Sequence, residues 1–132
     1  VKNPTVKGFI SGHFNKQQVY DFVRDKLIAQ ERGSVNINYR GCAYRGVDGA
    51  KCAVGWLIPD RQYNKDMEGD VDNLFNYYNI DTHSNKSTVD KYEFLTRLQS
   101  VHDAIAHLEG KAFVNCIKPR LTRFALKNGL KP

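Results

Sequence analysis

Apolar positions along the chain switch between helical and extended spacing, and each switch marks the edge of an element. Val19, Phe22, Val23 and Leu27 recur three and four residues apart, on one face of a helix. Asn15 at the head of this run and Gln18 three residues on form a capping-box pattern, and Phe14 and Val19 can close a hydrophobic staple over it. Gly33 offers a stop, so the pattern predicts a helix from about residue 16 to Arg32. The period then changes. Val35, Ile37 and Tyr39 alternate with Asn36 and Asn38, as in a strand with one buried face. A second extended stretch at residues 42–45 follows, with turn residues at Gly46, Asp48 and Gly49. Together they predict a small antiparallel ribbon that needs helices to cover it.

Residues 50–58 read as a short buried helix ended by Pro59, which disfavours helix at the residue before it. Asp70 is an N-cap for an amphipathic turn carrying Val71, Leu74, Phe75 and Tyr78. Ser87 and Asp90 form a weaker capping pair at the head of the longest predicted helix, residues 88–109, with Gly110 past its end. Phe94, Leu95, Leu98, Val101, Ile105 and Leu108 share one arc of it, and His102 falls within that arc. A last helix covers residues 111–128, kinked or restarted at Pro119 and stopped by Gly129. The expected fold class is α+β: a mainly helical single domain of four to five helices with a small antiparallel β-hairpin.

The 132 residues fit one domain, and 41% hydrophobic with 26% charged composition excludes wholesale disorder. No apolar run approaches the roughly 18 residues of a membrane span. The first residues lack the apolar core of a signal peptide. Three cysteines, an odd number, point to reduced thiols and a cytoplasmic setting rather than a disulfide framework. Charge changes the picture more. The net charge is +6, and the last 22 residues hold Lys111, Lys118, Arg120, Arg123, Lys127 and Lys131 with no acid, equal to the whole excess. Arg120, Arg123 and Lys127 fall within about 60° of one another around a helix, beside the apolar arc of Val114, Ile117, Leu121 and Phe124. Such a stripe suits an anionic macromolecule, either a nucleic acid or an acidic host protein, although charges of this kind also serve simply as a solvated face.

Candidate chemistry concentrates in the middle of the chain. Cys52, beside Lys51 and placed in the first turn of the predicted helix, would have a lowered thiol pKa, with His102 as its base and Asp103 or another acid orienting the ring. Against this, Cys52 sits among apolar residues, and Asp103 points about 100° away from His102 around the helix. A core histidine bonded to a backbone carbonyl or to Tyr44 is the competing reading. Cys42, Cys52 and His102, with Asp60 or Glu68, could form a mixed zinc set, yet no pair has the close spacing that pre-forms a site, so no metal is expected. Arg45 and Lys51 flank the ribbon turn and could hold an anion. Cys116 is expected to pack inside, and His13, His83 and His107 to lie outside. No Gly-Lys-Ser/Thr follows Gly46, Gly49 or Gly55, and no cofactor fingerprint occurs.

The segments Cys42-Ala43-Tyr44-Arg45-Gly46, Lys51-Cys52-Ala53-Val54-Gly55-Trp56-Leu57-Ile58-Pro59-Asp60, Tyr63, Glu68-Gly69 and Leu98-Gln99-Ser100-Val101-His102-Asp103 together resemble a family of small proteins encoded by tailed bacteriophages and bacteria. The likeness covers roughly residues 40–130. It implies a shared fold and a phage or bacterial origin, and it assigns no activity. Two classes of function stay open. One is a phage-type accessory protein that binds a host protein or nucleic acid through its basic C-terminal helix. The other is a thiol enzyme or metal protein centred on Cys42, Cys52 and His102.

Overall fold

Five α-helices carry the architecture of the computed structural model, which describes residues 2–36 and 42–132: α1 (Val6–Ile10), α2 (Lys16–Gln30), α3 (Val71–Tyr77), α4 (Lys86–Asp103) and α5 (Gly110–Lys127). Short 3-10 turns at Val47–Gly49, Val54–Leu57 and Lys65–Met67 punctuate the irregular chain between α2 and α3.

Among the described residues there is no strand and no sheet, which corrects the expected α+β class and its antiparallel β-hairpin to a mainly helical fold. Pairing is limited to two isolated bridges, Val35 with Cys42 and Arg32 with Glu109. Ile37, Asn38 and Tyr39 of the alternating run lie outside the described residues. On the second arm the physical reason is visible. The backbone there is satisfied by side chains, with the Tyr44 and Arg45 N–H groups donating to the two carboxylate oxygens of Glu68 at 2.9 and 3.1 Å.

α2 begins as the sequence predicts. The Asn15 side chain accepts from the Gln18 N–H, and the Gln18 side chain accepts from the Asn15 N–H, both at 2.8 Å. It ends at Glu31, which adopts the left-handed conformation (φ 58°), two residues before Gly33. Gly33 is needed for a close approach instead, since a Cβ there would collide with the backbone of Ala106. The Gly33 N–H donates to the Leu108 carbonyl (3.3 Å) and the Gly110 N–H to the Glu31 carbonyl (2.6 Å), so the end of α2 is latched against the start of α5. α1, which no periodicity announced, is capped by the Thr5 hydroxyl accepting from the Gly8 N–H at 2.9 Å.

α3 is capped by Asp70 as expected, through the Asn73 N–H at 2.8 Å. α4 departs from expectation at both ends. Its cap is Asn85, which accepts from the Thr88 N–H at 2.9 Å, while Asp90 pairs instead with Lys16 of α2 at 2.8 Å. It stops at Asp103, the chain turns through residues 104–109, and Gly110 opens α5 instead of closing α4. α5 runs on through Pro119 as one helix rather than restarting. The carbonyl that the proline leaves unserved belongs to Asn115, an exposed residue that water can reach. Neighbouring aromatic rings join four helices: Phe9 to Phe94 (centroids 5.5 Å apart), Phe94 to Phe124 (5.3 Å) and Phe124 to Tyr20 (5.9 Å). The Tyr20 hydroxyl donates to the Leu121 carbonyl at 3.0 Å, tying α2 to α5. Among the described residues, no helix is long and apolar enough to cross a membrane.

Candidate functional site

The chemistry-bearing residues fall into two places on different faces of α4. His102, fully buried, lies in the last turn of that helix. Its Nε2 accepts from the Ser34 backbone N–H at 2.9 Å, delivered by the latch at the end of α2. That bond leaves the ring proton on Nδ1, which points at Oδ1 of Asp103 at 2.8 Å. Asp103 thus orients His102 after all, against the expectation from their 100° separation. It is the last residue of α4, and its short side chain folds back onto the ring of its neighbour. The same Oδ1 accepts from Gln99 Nε2 at 2.7 Å, and Gln99 in turn accepts from the Val54 N–H at 2.9 Å.

Both ring nitrogens of His102 are therefore taken, and neither serves Cys52. The expected thiol–imidazole pair does not form. Cys52 is fully buried, its sulfur accepts from the Gly55 N–H at 3.3 Å, and burial pushes its thiol well above the ordinary range. It precedes the 3-10 turn Val54–Leu57 instead of lying in the first turn of an α-helix. Burial outweighs the two groups that favour the thiolate, the Gly55 N–H and the Gln99 side chain, which makes this an inert thiol. Cys42 joins His102 and Asp103 instead, with one donor atom from each lying within 4.8 Å of the others. Burial first, then the charge and hydrogen bond of Asp103, push its thiol up to about 12. A metal on His102 Nδ1 would need the ring proton moved to Nε2, against the Ser34 N–H. In that geometry the trio forms a hydrogen-bonding cluster. Asp60 and Glu68, the proposed fourth ligands, are engaged elsewhere.

Arg45 and Lys51 are also spent internally. The Arg45 guanidinium donates to the carbonyls of Tyr44, Gly55 and Ile58, pairs with Asp60 at 2.9 Å, and lies 4.7 Å from the centroid of the Tyr63 ring. Lys51 lies 3.3 Å from the same carboxylate and 4.5 Å from the Trp56 ring centroid. Lys51 is the main cause, with Arg45, of a pKa for Asp60 held below the usual carboxylate value. Cys116 is exposed, not packed, and His13, His83 and His107 are exposed as expected.

The second place lies between α4 and α5. Arg120, Arg123 and Lys127 line one groove of about 400 Å³, and Arg97 of α4, which sequence reasoning missed, joins them. Val101 and the buried Phe124 supply apolar surface in the same groove. Arg97 is paired with Glu93 at 3.0 Å. Arg120, Arg123 and Lys127 have neither an ion pair nor a hydrogen-bonding partner among the described residues. The signal for Arg97 was present in its i,i+4 relation to Val101, but only the packing of two helices puts it opposite the basic stripe. Comparisons with protein-family models, curated proteins and solved structures give no match to this chain.

Proposed function

We propose that this protein is a phage-type accessory factor that binds nucleic acid, its groove between α4 and α5 tracking the phosphate backbone. The observation that carries the reading is the convergence of Arg97, Arg120, Arg123 and Lys127 on one groove with no carboxylate in its lining. Arg120, Arg123 and Lys127, left without internal partners among the described residues, are available to an external anion at no cost in broken ion pairs, and Arg97 is shared with Glu93. Three of the four are arginines, whose planar fork suits bidentate contact with phosphate oxygens. Arg120 to Lys127 spans about 10 Å along the helix axis, enough to follow consecutive phosphates rather than a single anion. An acidic host protein offers less regular spacing, and this favours nucleic acid over it.

Fluorescence anisotropy with labelled duplex DNA, single-stranded DNA and RNA tests the reading. Three or four neutralised phosphates give a log–log salt slope of about −3 to −4. Replacing Arg120, Arg123 and Lys127 together with Glu should abolish binding while circular dichroism stays unchanged. If none of the three nucleic acids binds at low salt, or if polyglutamate binds and they do not, the nucleic-acid reading is lost.

A further inference from the structure

On another face of α4 from the cationic groove, and sharing no lining residue with it, a cavity of about 400 Å³ has the opposite character. Asp70 and Asp103 both line it, together with Cys42, Tyr44, Gln99 and Ser100, and no cation is among its lining residues that are described. On a chain of net charge +6, two carboxylates facing one cavity with no countercharge among the described residues that line it are out of keeping with the rest. Both are held in place. Asp70 is fixed as the cap of α3, and Asp103 by Gln99 and the His102 ring.

The second observation is independent of charge. Tyr44 is 2% exposed, lines this cavity, and its hydroxyl has no hydrogen-bonding partner among the described residues. Burial chiefly, and then nearby negative charge, raises its pKa above the ordinary phenol value, so the hydroxyl is neutral. A buried hydroxyl is rarely left unserved, and one beside an acidic cavity is explained by an absent partner. The nearby hydroxyl of Ser100 already donates to the Thr96 carbonyl, which leaves its lone pairs as acceptors facing a donor-rich guest.

We propose that this cavity binds an alkylguanidinium group, with Asp70 and Asp103 as counter-ions and Tyr44 as a neutral hydrogen-bonding partner. A planar fork of five N–H donors matches acceptors spread around a cavity better than the compact point charge of an ammonium. The guest is either a free small molecule or an arginine side chain presented by a partner, and the test separates the two.

The probes are agmatine for the free ligand, N-acetyl-arginine amide for the presented side chain, and butylurea as a planar neutral control. Binding is followed by nuclear magnetic resonance shifts of the Gly69–Val71 and Gln99–Asp103 amides and by calorimetry. At least one guanidinium probe should bind at or below about 1 mM. Asp70→Asn and Asp103→Asn should each weaken it by about tenfold or more, and Tyr44→Phe by several-fold. Because Asp103 also orients His102, Tyr44→Phe and Asp70→Asn are the decisive variants. Tyr44→Phe should leave the melting temperature of the free protein unchanged or higher, since it removes a hydroxyl that has no partner there. Shifts with butylurea equal to those with agmatine, affinity indifferent to Asp70→Asn and Tyr44→Phe, or no shifts from either guanidinium probe would overturn the assignment.

Discussion

The helices and the irregular chain between α2 and α3 solve the same problem in opposite ways, and the difference decides which charged residues are free to act. In α5 the backbone is satisfied largely through its own ladder, so its outward-facing cations carry no internal duty. Arg120, Arg123 and Lys127 are the result. Residues 42–69 have no such ladder, and charged and amide side chains are drafted to serve their backbone. Arg45 takes three carbonyls, Glu68 two N–H groups, and Gln30 both the N–H and the carbonyl of Lys51. A basic residue in a loop is often read as available for ligand. Here Arg45 and Lys51 of the irregular segment are consumed, and Arg120, Arg123 and Lys127 of α5 are not.

Removing packing from the helical region should have the largest effect. Phe94, fully buried and touching the rings of Phe9 and Phe124, should cost about 3–5 kcal/mol as Phe94→Ala, and Leu98→Ala about 2–5 kcal/mol. Urea midpoints at constant m-value measure both. In the irregular region the corresponding effect is loss of a staple. Glu68→Ala leaves two backbone N–H groups and the Tyr63 hydroxyl without their acceptor and should cost about 2–3 kcal/mol, with proteolytic cleavage appearing first between residues 42 and 69. If Glu68→Ala is neutral while Phe94→Ala is not, the irregular segment is held by packing like the rest, and the contrast between the regions disappears.

Alkaline pH sharpens the contrast, because the raised thiols belong to the irregular segment. Cys42 moves up to about 12 in the folded state from its ordinary value of 9.0, and Cys52 moves in the same direction. Protons that the unfolded chain releases above pH 9 stay bound in the folded one. Stability is therefore complete below about pH 9 and falls as pH rises towards 12. The urea midpoint should drop between pH 8 and pH 10.5, and the drop should shrink in a Cys42→Ala, Cys52→Ala double variant. At pH 8 a disulfide reagent should modify the exposed Cys116 promptly, the half-buried Cys42 more slowly, and the buried Cys52 only with unfolding. The smallest effect belongs to the groove. Replacing Arg120, Arg123 and Lys127 with Glu should shift stability by within about 0.5 kcal/mol per site, since no internal partner is lost.

What could be read from the sequence follows the range of the interactions. The caps of α2 and α3 were legible because Asn15, Gln18 and Asp70 bond to backbone within three residues. The hairpin was misread because alternation is evidence for one buried face and silent about what the backbone bonds to. Its acceptor, Glu68, lies more than 20 residues from Tyr44 and Arg45. The long helix was extended past Asp103 because Ile105 and Leu108 keep the helical period; Ile105 is buried anyway, from a turn. The basic stripe of α5 was legible as periodicity, whereas Arg97 and the acidic cavity depend on how separate elements meet. The burial of Cys52 was legible as an apolar neighbourhood, and it is what removes the thiol from consideration.

The latch between α2 and α5 also sets an order of events. Residues 31–34 meet residues 106–110 only by closing a loop of roughly 75 residues, an entropic cost that falls late in folding unless other contacts have already shortened it. The Ser34 N–H that fixes His102, and through it Asp103, arrives with that closure. A chain growing from its N-terminus has every acid of the cavity in place by Asp103, yet cannot hold that residue in its final orientation until Ala106, Leu108 and Gly110 have been added. The acidic cavity is thus among the last features of the molecule to become competent, and hydrogen exchange at the Ser34 amide would time its completion.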